Sequence, residues 1–271
     1  MKVDPSYMLL VGCGAMGSAL LRGWGATAFD HVSIVTPHRP SPEKLPADLN
    51  YTWHSSIEDV RAVPDLIVFA VKPQVLPEIL PHYKQFVSQD TLFVSVIAGQ
   101  AMQVYQDALG PEVALIRCMP NLPVALQKGM IVAMDSTYVS SFQREWIQIL
   151  LQILGCVAWI DDEKLFAVVT AISGSGPAYF YLMVDALAQA GHMADLPREL
   201  ADLLARQTLI GAGAQLESSD KSALQLKQAV TSPQGVTAAA LEILEKEDEG
   251  LPDMAHRAIT KAVRRAIELG Q

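Results

Sequence analysis

Short apolar runs, separated by polar turns that carry glycine or proline, follow one another through residue 161. Most of these runs are continuous rather than alternating, as in strands that a sheet buries on both faces. We predict strands at 7–11, 31–36, 65–71, 91–99, 113–119, 129–135 and 156–161, with helical patterns between several of them at 76–87, 101–109 and 141–154. This alternation predicts a doubly wound, mostly parallel sheet.

From Asp162 onward the pattern is helical throughout. Residues 180–190 are apolar on nearly every face, which requires cover on all sides, and about a hundred helical residues provide little of it. We therefore expect a second subunit to cover this helix. We interpret Asp185 as a hydrogen-bonded helix residue rather than a catalytic acid. Further helices are predicted at 198–217 and 254–269.

The sequence GCGAMG follows the first predicted strand and leads directly into a helical pattern. This order is the one that a dinucleotide-binding fingerprint requires. Gly12 permits a tight turn, Gly14 lets the backbone approach a pyrophosphate, and Gly17 lets the helix pack on the strand. The alternative is a tight strand-to-helix turn that binds nothing. The fold class is therefore α/β, with a Rossmann domain at 1–161 and an all-α dimerisation domain at 162–271.

The end of the second strand bears on the identity of the nucleotide. NAD enzymes place a carboxylate there, about 20 residues after the glycines, to hold the ribose 2′-hydroxyl. Here the position reads Thr36-Pro37-His38-Arg39. Arg39, with His38, is suited to a 2′-phosphate, so NADP(H) is preferred and NAD(H) is the alternative. Arg39 as an ordinary solvated residue is the other interpretation.

Three later loops follow strand ends, where ligands of such sheets bind. They are AVKPQ (70–74), VIAGQ (96–100) and RCMPNLP (117–123). Proline or glycine makes each backbone irregular, so its free N–H and C=O groups are available to a nicotinamide. We expect the loops to open on one crevice, although each by itself is also explained by ordinary loop chemistry.

The amino-acid composition and the net charge indicate which kinds of molecule this chain binds. Of 271 residues 51% are hydrophobic and 18% charged, which favours an oligomer, and the net charge of −9 argues against nucleic acid. Cys13, Cys118 and Cys156 have neither metal-site nor disulfide spacing, so we expect no metal and a cytoplasmic protein. The first residues make a poor export signal, and the longest apolar region, 147–160, is too short to span a bilayer, so we expect no membrane anchor.

The sequence VTSPQGVTAAAL (230–241) interrupts the helical region. Thr231 and Ser232 are suitable N-cap residues, and Pro233 suits a first helical turn. The N–H groups of residues 235–237 would then face a small carboxylate, worth about 1–2 kcal/mol. SGSGP (173–177) is a second donor-rich helix start. The alternative is a capped helix with nothing bound.

These segments resemble Δ1-pyrroline-5-carboxylate reductases over the whole chain. The matching blocks are GCGAMG, AVKPQ, VIAG, RCMPNLP, TAISGSGPAYFY, ARQTLIGAGAQL and VTSPQGVT, in family order. The resemblance implies a Rossmann domain and a helical domain that interlocks in a homodimer or larger oligomer. It also implies reduction of a cyclic imine to L-proline by NADPH or NADH, the last step of proline biosynthesis.

The resemblance also implies roles for individual residues. It puts the glycine loop on the pyrophosphate, His38 and Arg39 near the adenosine ribose, and Thr237 near the ring nitrogen of the substrate as the catalytic residue. The implied cofactor-binding residues are Gly12, Cys13, Gly14, Ala15, Met16, Gly17, His38, Arg39, Ala70, Val71, Lys72, Pro73, Ala98, Gly99, Met119, Pro120 and Asn121. The implied substrate-binding residues are Ser232, Gly235, Val236 and Thr237.

The chain departs from the family pattern in the substrate turn and after the third strand. Gln234 replaces the first glycine of TSPGG, Val236 is bulkier than usual, and Ser56 stands where the family often has Asn. A positive φ at position 234 would strain the turn. A β-hydroxyacid dehydrogenase is one rival, but residues 172–191 lack its lysine and asparagine. An NADPH-binding scaffold without turnover is the other rival, and NADPH absorbance with the imine distinguishes it.

Overall fold

The computed structural model describes residues 7–26 and 28–270. The residues before Tyr7, on which the expectation about an export signal rests in part, lie outside this description. One sheet has the strand order β3-β2-β1-β4-β5-β6-β7-β8. The strands are β1 Tyr7–Val11, β2 His31–Val35, β3 Tyr51–His54, β4 Leu66–Phe69, β5 Leu92–Ser95, β6 Leu115–Met119, β7 Gly129–Asp135 and β8 Gly155–Trp159.

The sheet is mostly parallel, as the sequence predicts. β1 to β6 are paired in parallel; β7 is antiparallel to β6 and parallel to β8. The strand order reverses on the two sides of β1, whose neighbours are β2 and β4. Ligands of open parallel sheets bind at this kind of switch point, beyond the carboxyl ends of the strands.

Seven strands lie where the apolar runs predict them, and β3 was missed. Three of its four residues are partly buried and Thr52 is exposed, so they do not form the apolar run that marks a central strand. The predicted helix at 76–87 is also not regular. A short α-helix, α2 Leu76–Ile79, is preceded by a 3-10 turn at Pro73–Val75 and followed by 3-10 turns at Leu80–Phe86. The helix is interrupted because Pro77 and Pro81 each lack a backbone N–H donor. The helices α1 Ala15–Trp24, α3 Met102–Leu109 and α4 Ser141–Leu154 are regular.

Two apolar cores cover the two faces of the sheet. Met8 and Leu10 of β1 point into one core, and Leu9 and Val11 point into the other, because successive side chains of a strand alternate. In the second core Phe69 contacts Tyr83 edge to face, with ring centroids 5.0 Å apart. Full burial of each such side chain contributes about 1.5–3 kcal/mol. The strand ends are therefore held rigidly.

The contacts between residues divide the chain into two compact units. One unit comprises the residues up to Ser175 and those from Val263 on, and the other comprises Gly176–Ala262. The remaining helices are α5 Leu165–Val169, a π-helical turn at Thr170–Gly174, α6 Gly176–Met193, α7 Arg198–Ser218, α8 Ala223–Ala229, α9 Val236–Leu244 and α10 Leu251–Leu269. These units are defined by contacts and not by independent folding. The domain boundary predicted after Asp161 therefore stays a prediction.

The second unit is entirely helical where it is described. The helix predicted at 180–190 lies within α6, and its large apolar side chains are exposed in the single chain: Phe180, Tyr181 and Leu182 have 59%, 65% and 67% of their surface accessible. Asp185 accepts a hydrogen bond from Gln189 Nε2 at 2.7 Å, which confirms it as a hydrogen-bonded helix residue.

Candidate functional site

The three glycines of the first loop have different surroundings. Gly12 has a φ of +91°, and a Cβ there would lie 2.7 Å from the carbonyl oxygen of Ala70. A Cβ at Gly17 would overlap the carbonyl oxygen of Gly12. A Cβ at Gly14, by contrast, would meet none of the chain's described atoms within 4 Å. Gly12 and Gly17 are thus needed for packing, whereas Gly14 borders open space.

The helix α1 begins beside that open space. Gly14 is its N-cap residue, and the first intrahelical bond runs from the Ser18 N–H to the Gly14 carbonyl oxygen at 3.0 Å. The N–H groups of the first turn therefore lie at a helix N-terminus without a side chain above them. Such a terminus fits a phosphate group. The residues present accordingly fit the pyrophosphate of a dinucleotide.

The other members of the glycine loop contribute differently. The Cys13 side chain is buried in the core beneath the sheet, and burial raises the pKa of its thiol. Met16 packs against the same core, and Ala15 is exposed. Cys13 can therefore contact a ligand only through its backbone.

Four parallel strands end at one edge of the sheet. They are β1, β4, β5 and β6, so the loops that follow them, containing residues 12–17, 70–73, 98–99 and 119–121, meet at that edge. The Ala70 N–H donates to the Val11 carbonyl oxygen at 2.8 Å, which joins the first two loops directly. Lys72 is exposed and precedes the 3-10 turn at Pro73–Val75. The expected common edge is present.

Gly99 lies against the end of α10. Its φ is +74°, and a Cβ there would be 3.2 Å from the carbonyl oxygen of Leu269. Nearby, Glu163 accepts a hydrogen bond from the Met102 N–H at 2.7 Å and pairs with the buried Arg117. The loop after β5 is thus fixed at both ends, while Ala98 is exposed.

A cavity of about 250 Å³ lies at the ends of β1, β2 and β3. His38 and Arg39 are exposed and do not line it. Thr36 does, and its hydroxyl donates to the His38 carbonyl oxygen at 2.6 Å, which shapes the loop. The lining residues are Val11, Val35, Thr36, Pro37, Ser55, Ser56, Ile57, Glu58, Val71, Val75, Ile79, His82 and Tyr83. Sequence reasoning missed Glu58, whose only signal was its place two residues after Ser56.

Asn121 connects the loop after β6 with the π-helical turn. Its side-chain oxygen accepts from the Met130 N–H at 3.0 Å, and its amide donates to the Ser173 carbonyl oxygen at 3.1 Å. Met119, in the same loop, is buried, and a Cβ at Gly174 of the π turn would lie 3.6 Å from the Met119 sulfur. Single π turns inside helices are frequent at functional sites. The loop and the turn form one rigid polar wall.

The interpretation of SGSGP as a helix start is confirmed in part, since α6 begins at Gly176, directly after the π-helical turn. The chain is helical on both sides of it, through α5, the π turn and α6. The Ser175 N–H donates to the Thr170 carbonyl oxygen at 2.9 Å, and the Ser173 hydroxyl donates to the Val169 carbonyl oxygen at 3.0 Å. These two donors are therefore engaged by carbonyl groups of α5 and of the π turn and are not free at the start of α6.

The start of the helix after VTSPQG also differs from the prediction. α9 begins at Val236 with Gly235 at the N-cap, so neither Thr231 nor Ser232 is the cap. The Thr231 hydroxyl instead donates to the Lys227 carbonyl oxygen at 2.7 Å, at the end of α8. The Gly235 N–H donates to the Ser232 carbonyl oxygen at 3.0 Å and is not free. Because residues 232–235 form this tight turn, α9 begins after Thr231 and Ser232.

Gln234 occupies the left-handed region, with a φ of +58°. The strain anticipated for a non-glycine residue at this position is therefore present. Next to it, a Cβ at Gly235 would overlap the Ser232 hydroxyl. Val236 has 91% of its surface accessible, and Thr237 is also exposed. Val236 and Thr237 are therefore not packed against their own unit.

Comparisons with known proteins agree with this architecture. A family model described as pyrroline-5-carboxylate reductase dimerisation matches residues 163–269, and one described as NADP oxidoreductase coenzyme F420-dependent matches residues 8–99. The pyrroline-5-carboxylate reductase of Pisum sativum is 36% identical over 98% of this chain and 97% of its own. That of Pseudomonas aeruginosa is 32% identical over 96% of each.

Solved structures are similar over the same length. The structure of Plasmodium falciparum pyrroline carboxylate reductase with NADP bound has a TM-score of 0.85 at 29% identity and is matched over 100% of both chains. A pyrroline-5-carboxylate reductase from Coxiella burnetii has a TM-score of 0.87 at 28% identity. The predicted fold class, a Rossmann sheet followed by a helical dimerisation domain, is confirmed.

One helical stretch in the described part of the chain, Leu165–Met193, has the length and the mean hydropathy, 1.3, of a membrane span. The interpretation of 147–160 as the longest apolar region was therefore wrong. Only 17% of the stretch is buried in the single chain. The stretch lies within the residues that match the dimerisation family model.

Proposed function

This chain belongs to the family of pyrroline-5-carboxylate reductases, and from that premise we propose that it reduces 1-pyrroline-5-carboxylate to L-proline with a nicotinamide cofactor, NADPH in preference to NADH. The reaction acts on a C=N bond and is the last step of proline biosynthesis. The observation that carries the proposal is the open space beside Gly14 at the start of α1, on a chain that resembles these reductases from end to end.

The glycine loop is proposed to bind the cofactor pyrophosphate. The N–H groups at the start of α1 supply donors and the positive end of the helix dipole, and the open surface of Gly14 allows close approach. His38 and Arg39 are proposed to favour a 2′-phosphate, since both are exposed beside the cavity at the strand ends. When bound, the reduced nicotinamide supplies a hydride.

The loops at the strand ends are proposed to orient the nicotinamide. Ala70 to Pro73 and Ala98 with Gly99 provide backbone groups along the cofactor, and Met119, Pro120 and Asn121 form the wall beside its ring. Asn121 is anchored at both ends of its amide, so this wall does not need to reorganise. Good alignment of two reacting rings removes about 7–11 kcal/mol of barrier.

The turn at 232–237 is proposed to bind the substrate. The Ser232 hydroxyl and the N–H groups of Val236 and Thr237 would hold the carboxylate at the start of α9, where Gly235 is the N-cap residue. The Thr237 hydroxyl would hydrogen-bond the ring nitrogen and stabilise its proton, with water as the final donor. A protonated imine is already electrophilic, so the chemistry requires no strong acid. This accounts for the absence of His or Lys from residues 231–237.

Homodimers or larger homo-oligomers in the cytoplasm complete the proposal. The dimerisation match and the exposed apolar face of α6 support the assembly. A domain boundary near Asp161 is kept as part of the proposal.

The purified protein mixed with NADPH and 1-pyrroline-5-carboxylate tests the activity. We expect loss of the NADPH absorbance in step with formation of proline, and a slower loss with NADH. Binding of NADPH without oxidation would instead favour a nucleotide-binding scaffold, which the strained Gln234 keeps as the second candidate. The same assay with other cyclic imines defines the substrate range.

A further inference from the structure

Glu58 brings a carboxylate into the cavity at the ends of β1, β2 and β3. Most of the walls are apolar, with Val11, Val35 and Ile79 among them. Among the described lining residues Glu58 is the one acid, and neither lysine nor arginine is present. An apolar slot with a polar rim fits an adenosine, and the glycine loop begins directly after β1 at its side.

The carboxylate is held in place by its own turn. The Ser56 hydroxyl accepts from the Glu58 N–H at 3.3 Å and donates to Glu58 Oε2 at 3.2 Å. These two bonds begin the 3-10 turn Ile57–Asp59. The side chain therefore has a defined position at the cavity rim, although it is exposed to solvent.

Strand pairing places the Glu58 carboxylate in the part of the cavity that the loop after β2 also lines. β3 lies beside β2 in parallel, so the loops after the two strands are neighbours. Thr36 and Pro37, from the loop after β2, line the same cavity as Glu58. In dinucleotide-binding sheets the ribose 2′-position sits at the end of this second strand. The 3-10 turn that follows β3 thus places a carboxylate in the same cavity as the loop after β2, which has none at 36–39.

We infer that Glu58 reduces the preference of this chain for NADPH by accepting a hydrogen bond from the ribose hydroxyls and repelling a 2′-phosphate. The inference rests on the proposed function and opposes one part of it, because Arg39 attracts the phosphate that Glu58 disfavours. Arg39 is exposed outside the cavity lining, whereas Glu58 is part of it. The two residues together set the balance between NADPH and NADH.

Fluorescence titration of the substrate-free protein with NADPH and with NADH tests this inference. We expect Glu58→Gln to tighten NADPH binding about fivefold and to leave NADH binding unchanged or weaker, since one exposed like charge is removed. Glu58→Lys should increase the gain further. Asp59→Asn is the matched control, because Asp59 is in the same turn, is exposed and does not line the cavity, so its Kd values should change less than about twofold.

Ionic strength separates charge repulsion from a change of shape. The gain in NADPH affinity of Glu58→Gln should shrink as salt is raised to about 0.5 M, where charges are screened over a few ångströms. Equal changes for both nucleotides, or the same gain in Asp59→Asn, would overturn the inference about Glu58 and leave the proposed function intact. A wild-type protein that binds neither nucleotide would overturn both.

Discussion

The Asn121 amide donates a hydrogen bond to the Ser173 carbonyl oxygen at 3.1 Å and so fixes the loop after β6 to the π-helical turn. Asn121 is 9% exposed, and its oxygen is engaged by the Met130 N–H. Both ends of one side chain therefore hold the wall that is proposed to face the nicotinamide.

Asn121→Asp should disturb this wall. An ionised aspartate cannot donate to the Ser173 carbonyl oxygen, so we expect the free energy of unfolding to fall by about 1–3 kcal/mol. Turnover should fall at least about tenfold, because small displacements misalign the reacting rings. Steady-state kinetics and denaturant unfolding measure the two effects.

Gln127→Glu is the matched control for this change. The Gln127 amide donates to the Gly23 carbonyl oxygen at 3.0 Å, outside the proposed site. The same amide-to-acid replacement there should leave turnover unchanged. Equal losses of turnover in the two variants would contradict a positioning role for Asn121.

Substitutions in the glycine loop should separate folding from binding. Gly17→Ala forces an overlap with the Gly12 carbonyl oxygen and should lower the free energy of unfolding by about 1–3 kcal/mol. Gly14→Ala places a methyl group in open space, so stability should change by less than about 1 kcal/mol while nucleotide affinity falls about tenfold or more. Titration calorimetry measures the affinity. Wild-type affinity in Gly14→Ala would argue against a pyrophosphate at this loop.

Gln234→Gly should stabilise the chain. Relief of the left-handed conformation outweighs the added flexibility of the unfolded chain, so we expect a gain of about 0.5–1 kcal/mol in the free energy of unfolding. Gln228→Gly, within α8, should instead cost about 1 kcal/mol. Denaturant unfolding at one fixed protein concentration compares them, since assembly also contributes. A loss of stability in Gln234→Gly would show that the Gln234 side chain makes a compensating contact in the assembly.

Sequence patterns predicted the elements whose signal is local and strong. The apolar runs of β1 and β4 and the glycines at 12 and 17 were sufficient because burial on both faces and close packing leave few other residue choices. β3 was missed because a half-buried strand lacks that signal. Glu58 was missed because its place depends on the pairing of β3 with β2, which the local pattern does not encode.

The substrate turn shows a second limit of sequence patterns. Hydroxyls before a proline are typical of an N-cap, yet a backbone hydrogen bond from Gly235 to Ser232 makes a separate turn first. The helix therefore begins at Val236. Competing local structures of similar stability decide such boundaries, and the residue types alone do not distinguish them.

Thr237 is expected to act in turnover and not in nucleotide binding. Thr237→Val keeps the shape and removes the hydroxyl, so turnover should fall about tenfold or more while the Kd for NADPH is unchanged. Thr237→Ser retains the hydroxyl and should stay close to wild type. Unchanged turnover in Thr237→Val would remove the hydroxyl from the mechanism.

The most direct test of the account is mass spectrometry of the product formed from 1-pyrroline-5-carboxylate with NADPH that carries deuterium at both C4 positions. We predict L-proline with a single deuterium, on the ring carbon that was doubly bonded to nitrogen. Proline without the label, or none at all from protein that binds NADPH, would contradict hydride transfer by this chain.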